Sequence, residues 1–258
     1  MKIDIIIPTY GQENYTVKCL KSIEKYTDKK SYRIIWVDNG STEESRKTVL
    51  DELQRHDYLS IWMAGREGFV KAVNAGIFAS NSEFVVIMNN DTEVVPYWLD
   101  RLQKPMIEDE SIMLTGPTTT AQTSRQSWDI LKRDFPMEWG DMPVLTGLSD
   151  YEIVDKLYEK YGDYYTCDIE AVAFFCAMLR SRIFEEIGVL DEEFEEGYSD
   201  DVDFSIRTKK EGYRIAFVPT VFIHHHNRTT FLSVYSNEEI SKKLHANREK
   251  LKNKHKKE

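Results

Sequence analysis

The chain has 258 residues, 41% of them hydrophobic, which is enough to bury the core of one large α/β domain or of a domain with an appendage. A formal net charge of −10 and a pI of about 5.2 argue against general nucleic-acid binding. Three widely spaced cysteines favour a reduced cytosolic setting, and no apolar run approaches the roughly 20 residues that span a bilayer. We therefore expect a cytoplasmic protein, at most peripheral at the inner face of the cell membrane.

Short apolar runs alternate with helical patterns along the first part of the chain. Each run ends abruptly at polar turn residues, and apolar side chains recur at helical spacing in between. These patterns predict strands at 3–7, 33–37, 59–63 and 84–88, and helices at 14–27, 43–55 and 69–79. Such alternation is typical of βαβ units, so the sequence predicts an α/β fold with a mostly parallel central sheet and helices on both faces.

The rest of the chain is less regular. A short helix around Trp98 and a strand at 112–114 precede residues 118–165, which we interpret as an insertion near the cleft, with helical pieces at 128–131 and 151–161. Later patterns predict strands at 170–179, 214–218 and 220–223, a helix at 183–187, and a helix that opens at 197–203 and runs to about 211. The sequence therefore predicts one domain over 1–235 and a basic C-terminal tail over 236–258.

Polar residues follow the fourth predicted strand at the point where it ends. Five apolar residues run into Asn89, Asn90 and Asp91, and ligands in open parallel sheets bind beyond the carboxyl ends of the strands. A carboxylate flanked by amide oxygens suits a hard divalent cation such as Mg²⁺ or Mn²⁺. Ordinary turn chemistry explains the same residues taken alone, so both interpretations stay open at this point.

Acidic and histidine clusters follow later in the chain. Asp200, Asp201 and Asp203 are three carboxylates within four residues, and such crowding can place a general base near the working pH. The N-terminus of a helix also favours acids, which is the structural alternative. The histidines at 224–226 follow a strand, so His225 should face away from its two neighbours. A surface histidine cluster is the plain alternative for them.

Glycine-rich nucleotide motifs are missing from the sequence. Pro8-Thr9-Tyr10 follow the first strand in place of a dinucleotide fingerprint, and there is no glycine-rich phosphate loop with its lysine. A nicotinamide dehydrogenase, an ATPase and a kinase are therefore not expected. Lys71 and Asn74 lie one turn apart on a predicted helix and should share a face, and with Arg66 they could meet a phosphate or sugar. A solvated helix face is the alternative for them.

The order of these motifs resembles one family. The motifs are PTY at 8–10, VDNGS at 37–41, GFVKAVN at 68–74, NNDT at 89–92, SDDVD at 199–203 with Arg207, and the histidine block. Together, over roughly residues 3–231, they resemble the family-2 inverting glycosyltransferases of the GT-A fold. Within that family they most resemble the rhamnosyltransferase and galactofuranosyltransferase-like branch of bacterial surface polysaccharide synthesis. The resemblance implies a GT-A (Rossmann-like) nucleotide-diphospho-sugar transferase fold.

The resemblance also implies a role for each motif residue. Thr9, Tyr10 and Asp38 would bind the nucleobase and ribose of the donor, and Arg66, Lys71 and Asn74 its diphosphate and sugar. Asn89, Asn90 and Asp91 of the metal motif would also contact the donor. Asp91 and His225 would bind Mn²⁺ or Mg²⁺. Asn89 replaces the first acid of that metal motif, a departure that either weakens the metal site or leaves Asn89 to bind through its amide or a water. Asp201 matches the catalytic base, and Asp200 stands beside it, where Glu is usual.

The implied reaction moves a sugar from a UDP- or dTDP-linked donor to a glycan or lipid-linked acceptor. Asp201 would remove the proton of an acceptor hydroxyl, which attacks the anomeric carbon from the face opposite the leaving diphosphate. Trp128 and Trp139, in the insertion at 118–165, would stack on acceptor sugars, or pack the insertion onto the domain.

Two other functions remain as alternatives. A sugar nucleotidyltransferase would need a glycine-rich loop with Arg and Lys, which residues 8–11 do not supply. An inactive sugar-nucleotide or glycan-binding module is favoured by Asn89 but disfavoured by Asp91, Asp201 and His225.

The tail has basic residues over 242–257, opposed only by Glu249, and a thin apolar stripe. Basic residues near an anionic leaflet attract it, so the composition predicts weak, salt-sensitive contact with a membrane. A solvated, disordered terminus is the alternative.

Overall fold

A computed structural model describes residues 2–119, 126, 145, 147–167, 169–226 and 234–256. Its strands are β1 (Ile3–Thr9), β2 (Tyr32–Asp38), β3 (Tyr58–Trp62), β4 (Phe84–Met88), β5 (Thr92–Val94), β6 (Ile112–Thr118), β7 (Cys176–Arg180) and β8 (Arg214–His225). Its helices are α1 (Glu13–Tyr26), α2 (Glu43–Leu53), α3 (Phe69–Ala79), α4 (Trp98–Glu108), α5 (Asp150–Tyr161), α6 (Ile183–Ile187), α7 (Asp200–Lys210) and α8 (Asn237–His255), with a 3₁₀ turn at Glu192–Phe194.

The described strands form one sheet in the order β3-β2-β1-β4-β7-β6-β8-β5. Strands β1 to β4 are parallel to one another, and β6 is parallel to β8, whereas β7 and β5 run antiparallel to their neighbours. Every residue of β1 and β4 is buried, which explains why their sequences are continuous apolar runs. The predicted α/β fold with a mostly parallel sheet is confirmed.

Two apolar layers cover the two faces of the sheet. Alternate residues of β1 enter different layers, with Ile5 in one and Ile6 in the other, because successive strand residues point to opposite faces. The first layer includes Leu20 of α1, and the second includes Val73 of α3 and Phe204 of α7. Helices α1 and α7 thus lie on opposite faces, and both begin near the edge where the parallel strands end.

Two strand predictions in the second half of the chain were wrong in detail. The strand expected at 170–179 is confined to Cys176–Arg180 and runs antiparallel to β4. The strands expected at 214–218 and 220–223 are one continuous strand, β8. It passes through Pro219 where its register with β6 shifts, from Pro117 opposite Val218 to Thr118 opposite Phe222. A proline has no N–H group to donate, and such a bulge tolerates it.

The C-terminal segment is also different from the expected solvated terminus. Ser236 and Glu239 form a capping box, and the residues after them fold into the 19-residue helix α8. Ile240 and Asn247 are buried, so α8 packs against the domain. The predicted helical piece at 151–161 is α5, whereas the piece at 128–131 lies outside the described residues. None of the described helices combines the length and apolar character that crossing a membrane requires.

Candidate functional site

Asp91 and His225 lie side by side just beyond the end of β4. Pairing of β5 with β8 sets Thr92 opposite His225, and Nε2 of His225 lies 3.2 Å from Oδ1 of Asp91. The side-chain nitrogen of Asn89 is 3.5 Å from the same Nε2. The His225 ring stacks on Phe175 with 5.1 Å between the ring centroids. The structure therefore brings together the three residues that the sequence placed at one centre.

The two neighbouring histidines have other partners. Nε2 of His224 lies 3.0 Å from Oδ1 of Asp150, and Nε2 of His226 lies 2.7 Å from Oε1 of Glu93. Both line a surface groove of about 390 Å³ beside α1. The prediction that His225 faces away from its neighbours is confirmed.

The geometry of Asp91 and His225 fits a shared divalent cation. Ligands at about 2.1 Å in adjacent octahedral positions lie about 3 Å apart, close to the separation seen here. Nδ1 of His225 is buried without a hydrogen-bond partner among the described residues, so Nε2 is the nitrogen directed at the acid. No group of three or more His, Cys, Asp or Glu side chains suited to a metal occurs in the described part of the chain. The remaining ligands would be the Asn89 side chain, the donor or water.

Helix α7 begins with the acidic cluster. Asp200 is 4% exposed, and its Oδ2 atom has no hydrogen-bond partner among the described residues. Burial, aided by the negative charges of Asp201 and Asp203, raises the pKa of Asp200 well above its usual range. Asp201 is only partly buried, and its Oδ1 accepts a hydrogen bond from the amide of Val202 at 2.8 Å. An acid with a raised pKa beside a more accessible one is an arrangement that can divide acid and base roles.

Replacing Asp200 by Asn should increase stability at neutral pH, by an amount that shrinks on acidification. Because the folded-state pKa of Asp200 lies above its unfolded value, the unfolded chain binds fewer protons, and the free energy of unfolding falls as pH rises from about 4. Asn is neutral and removes this loss. Thermal unfolding of both proteins between about pH 4 and about pH 7 checks it, with Asp51→Asn on exposed α2 as control. A pH-independent difference in Tm would contradict the raised pKa.

Thr9, Tyr10 and Asp38 lie at the ends of β1 and β2, as expected. Thr9 pairs with Asp38 in the sheet, and Asp38 is fully buried. The carboxylate of Asp38 accepts a hydrogen bond from Nε of Arg46 at 2.8 Å, and the Arg46 guanidinium lies 4.8 Å from the Trp62 ring centroid. Sequence reasoning missed Arg46 and Trp62, because neither stands in a motif. They now belong to the same corner as the candidate base-binding residues.

Arg66 lies beside Tyr10 but is held by residues that the sequence did not indicate. Its guanidinium is 5.2 Å from the Tyr10 ring and 5.0 Å from the Tyr235 ring. It donates to the Tyr235 hydroxyl at 2.8 Å and pairs with Glu196 at 2.5 Å. These partners are 169 and 130 residues away in the chain, which left no local signal to find them by.

Lys71 and Asn74 do not share an exposed face, contrary to expectation. Lys71 is exposed and pairs with Glu67 at 3.4 Å, one turn earlier. Asn74 is 1% exposed, and its amide nitrogen donates to the carbonyl of Leu190 at 2.9 Å, while its oxygen accepts from the Leu190 amide at 3.1 Å. Asn74 follows Lys71 by three positions on α3, and its side chain points into the protein. Asn74 therefore ties α3 to the segment before the 3₁₀ turn.

The remaining site residues have a mixed outcome. Asn90 is buried, and its amide nitrogen donates to the Thr16 hydroxyl at 3.0 Å, which anchors the loop to α1. Trp128 and Trp139, expected on the acceptor side, lie outside the described residues.

The alignments with two similar proteins extend over most of this chain. A dolichyl N-acetyl-alpha-D-glucosaminyl phosphate 3-beta-D-2,3-diacetamido-2,3-dideoxy-beta-D-glucuronosyltransferase of Methanococcus voltae is 22% identical over 236 residues, which are 88% of this chain and 68% of the relative. The O-antigen biosynthesis protein RfbC of Myxococcus xanthus is 23% identical over 87% of this chain, which corresponds to 17% of the length of RfbC. The chain spans only 24% of a similar protein from Sinorhizobium fredii.

Solved structures with the same fold include nucleotide-bound enzymes. GalNAc-T7 with UDP, GalNAc and Mn²⁺ superposes with a TM-score of 0.65 at 16% identity, over 87% of this chain and 44% of that one. The mannosyltransferase PcManGT from Pyrobaculum calidifontis, with GDP-Man and Mn²⁺, has a TM-score of 0.62 at 16% identity, over 87% of this chain and 56% of that one. Likeness at this identity shows the fold, which is of the GT-A type.

Residues 4–188 match the family described as Glycosyl transferase family 2. That match takes in most of the chain, including β1 to β4, the Asp91 loop and β7. The chain belongs to glycosyltransferase family 2.

Proposed function

We propose that the chain is an inverting glycosyltransferase. It moves a sugar from a UDP- or dTDP-linked donor to a hydroxyl group of a glycan or lipid-linked acceptor in surface polysaccharide synthesis. The observation that carries the proposal is the buried pair of Asp91 and His225, 3.2 Å apart at the end of β4, in a family-2 chain. The order of the motifs supports a rhamnosyl or galactofuranosyl donor as its finer form.

The donor side of the site is assigned to residues at the ends of the strands. Asp91 and His225 would hold Mn²⁺ or Mg²⁺, and the bound ion supplies positive charge beside the leaving diphosphate. Two structures of the same fold contain Mn²⁺ with a nucleotide or nucleotide sugar, which supports that choice. Tyr10 and Asp38 would hold the base and ribose, and Arg46 orients Asp38 through the hydrogen bond at 2.8 Å.

The remaining donor contacts fall to cationic and amide side chains. Arg66 and Lys71 would face the diphosphate. Arg66 would then give up its ion pair with Glu196 and bind the diphosphate instead. Thr9 would contact the ribose, and Asn74 and Asn90 would act indirectly, since their amides are bonded within the protein.

The acceptor side is assigned to the start of α7. Asp201 accepts the proton of the acceptor hydroxyl while the oxygen of that hydroxyl forms a bond to the anomeric carbon of the donor sugar. The bond between that carbon and the diphosphate oxygen breaks on the opposite face, and the nucleoside diphosphate leaves with the electron pair. Burial raises the pKa of Asp200 and so favours its neutral form, which leaves the more accessible Asp201 as the acid proposed to take the proton.

Release of nucleoside diphosphate from a panel of sugar nucleotides, with and without Mn²⁺, tests the proposal. Metal-dependent release from a UDP- or dTDP-sugar, raised by added glycan acceptor, is the expected result. Binding without release would favour an inactive binding module, for which the amide of Asn89 in the metal motif is the supporting observation. Formation of pyrophosphate from sugar phosphate and nucleoside triphosphate would indicate a nucleotidyltransferase.

The insertion at 118–165 is proposed to shape the acceptor site through Trp128 and Trp139. Aromatic rings stack on sugar faces, and functional loops of α/β domains are often irregular and polar. Replacing both tryptophans by Ala should raise the KM for acceptor by about tenfold, worth about 1.4 kcal/mol of binding, and spare the KM for donor. Steady-state kinetics with each substrate varied in turn checks this. An unchanged acceptor KM would leave the two residues a packing role.

Weak contact with an anionic membrane through exposed basic residues of α8 is proposed as well. Lys254 and His255 contact Asp203 of the domain. The residues expected to contact the membrane are therefore the exposed Lys242, Arg248 and Lys252. Replacing these three by Gln should abolish any sedimentation with anionic vesicles that low salt permits, since each basic residue contributes about 1 kcal/mol near the surface. Equal recovery in the supernatant for both chains at low salt would remove the membrane role.

A further inference from the structure

Helix α8 is fastened to the segment that leads into the candidate base. Asn247 is 7% exposed, and its Nδ2 donates to the carbonyl oxygens of Phe194 at 3.1 Å and Gly197 at 2.7 Å. Nearby, Nζ of Lys250 donates to the carbonyl oxygen of Glu193 at 2.6 Å. An Asn side chain has two N–H donors, so both are used on irregular backbone just before α7.

The same helix supplies partners for a buried carboxylate in the first turn of α7. Asp203 is fully buried, and its Oδ1 atom lies 2.8 Å from Nζ of Lys254 and 2.8 Å from Nε2 of His255. Its Oδ2 accepts from Nε of Arg207 at 2.8 Å, one turn further along α7. Lys254 also pairs with Asp191 at 2.6 Å. Because an unpaired buried charge is costly, these contacts fix the position of Asp203 relative to α8.

The turn between these contacts has an uncommon backbone conformation. Gly197, Tyr198 and Ser199 have φ angles of 95°, 63° and 76°, and they directly precede Asp200. Residues other than glycine rarely adopt positive φ, and two in succession persist only where surrounding structure holds them. Asn247 bonds the carbonyl at the start of this turn, and Lys254 and His255 bond the helix at its end. The turn is thus held from both sides by one helix.

We propose that Asn247, Lys254 and His255 are positioning residues of the active site. They hold the turn at 197–199 and the first turn of α7 so that the carboxylate of Asp201 meets the acceptor hydroxyl. None of them is assigned contact with substrate. This role rests on the proposed function, because it concerns the geometry of the proposed base. Misplacing a reacting group by about 1 Å can cost about 100-fold in rate, so small relaxations of this turn matter.

The test uses the full chain and three variants. Asn247→Ala removes both carbonyl contacts, and the double variant Lys254→Ala with His255→Ala leaves Asp203 to Arg207 alone. His255→Gln keeps an N–H donor for Asp203. Asn253→Ala is the matched control, because Asn253 is an exposed residue of the same helix. The measurements are kcat for nucleoside diphosphate release, donor Kd by calorimetry, and hydrogen exchange of the amides at 197–203.

We expect Asn247→Ala and the double variant to lower kcat by about 10- to 100-fold, with donor Kd changed less than about twofold. Exchange at 197–203 should accelerate while the central strands stay protected. His255→Gln should keep most of kcat, and Asn253→Ala should match the unmodified chain. Unchanged kcat in Asn247→Ala and in the double variant would overturn the proposal. So would a loss of kcat with protection lost throughout the sheet, which would make α8 a general stabiliser.

Failure of the proposed function gives a different result. In that case the unmodified chain itself releases no nucleoside diphosphate. Hydrogen exchange at 197–203 still reports on the contacts of α8, because it needs no substrate. Unaltered exchange in Asn247→Ala and in the double variant would overturn the positioning role by itself.

Discussion

Replacing Asp201 by Asn should lower the rate of sugar transfer by about 10²–10⁴-fold and leave donor affinity nearly unchanged. The amide cannot take the proton of the acceptor hydroxyl, and proton transfer belongs to the chemical step rather than to donor binding. Asp201 is partly buried at the start of α7, and the change from Asp to Asn alters the side-chain volume only slightly. Nucleoside diphosphate release at saturating donor, with calorimetric donor Kd, measures both quantities.

Two companion variants make the Asp201 result specific. Asp51→Asn, on the exposed side of α2, controls for the loss of one negative charge and should behave like the unmodified chain. Asp200→Asn controls for loss of the neighbouring acid. Near-normal turnover in Asp201→Asn would transfer the base role away from Asp201, and Asp200 would become the candidate.

Replacing His225 by Ala should lower affinity for Mn²⁺, and with it donor affinity and turnover, by at least about 100-fold. The imidazole is one of the two side chains, 3.2 Å apart, that are proposed to hold the ion, and loss of even an indirect partner of a metal costs about 10- to 100-fold. Asp91→Ala should have the same effect. Titration of donor binding with Mn²⁺, before and after chelation, measures it.

The neighbouring histidines are matched controls for His225. His224→Ala and His226→Ala each remove an imidazole next to His225 in the sequence, and each breaks a contact with a carboxylate, Asp150 or Glu93. They should retain the response to Mn²⁺. His225→Gln separates the loss of a ligand from lost stacking on Phe175. Full turnover in excess chelator, or an equal loss in all three histidine variants, would refute the assignment.

The fold and the side of β8 on which His225 lies were predictable because burial and strand alternation leave local patterns in the sequence. The pairing of His225 with Asp91 was implied by the family resemblance. Strands buried on both faces, such as β1 and β4, must be apolar throughout, and that pattern also locates Asn89 and Asp91 at their ends. The alternation of side chains along β8 singles out His225 without knowledge of its partners.

The partners of the site residues were not predictable, because they come from distant parts of the chain. Nothing near Arg66 indicates that Tyr235 and Glu196 will hold it, and nothing near Asp38 singles out Arg46. The lysines of the C-terminal segment were interpreted from charge alone, as a tail facing solvent or a membrane. Docking of α8 depends instead on Asn247, a single polar residue whose role appears only with its carbonyl partners.

The position of β8 in the sheet constrains the order in which this protein can acquire its structure. Among the described strands, β8 is the last in the sequence, yet it lies between β6 and β5, and β5 pairs with no other of these strands. Until residues 214–225 have left the ribosome, β6 presents an open edge, although all of its residues are buried in the finished protein. Open apolar edges pair readily with other chains, so a nascent or truncated chain is at risk of aggregation. His225 also reaches Asp91 only with this strand, so the pair proposed to hold the cation is among the late features to form during synthesis.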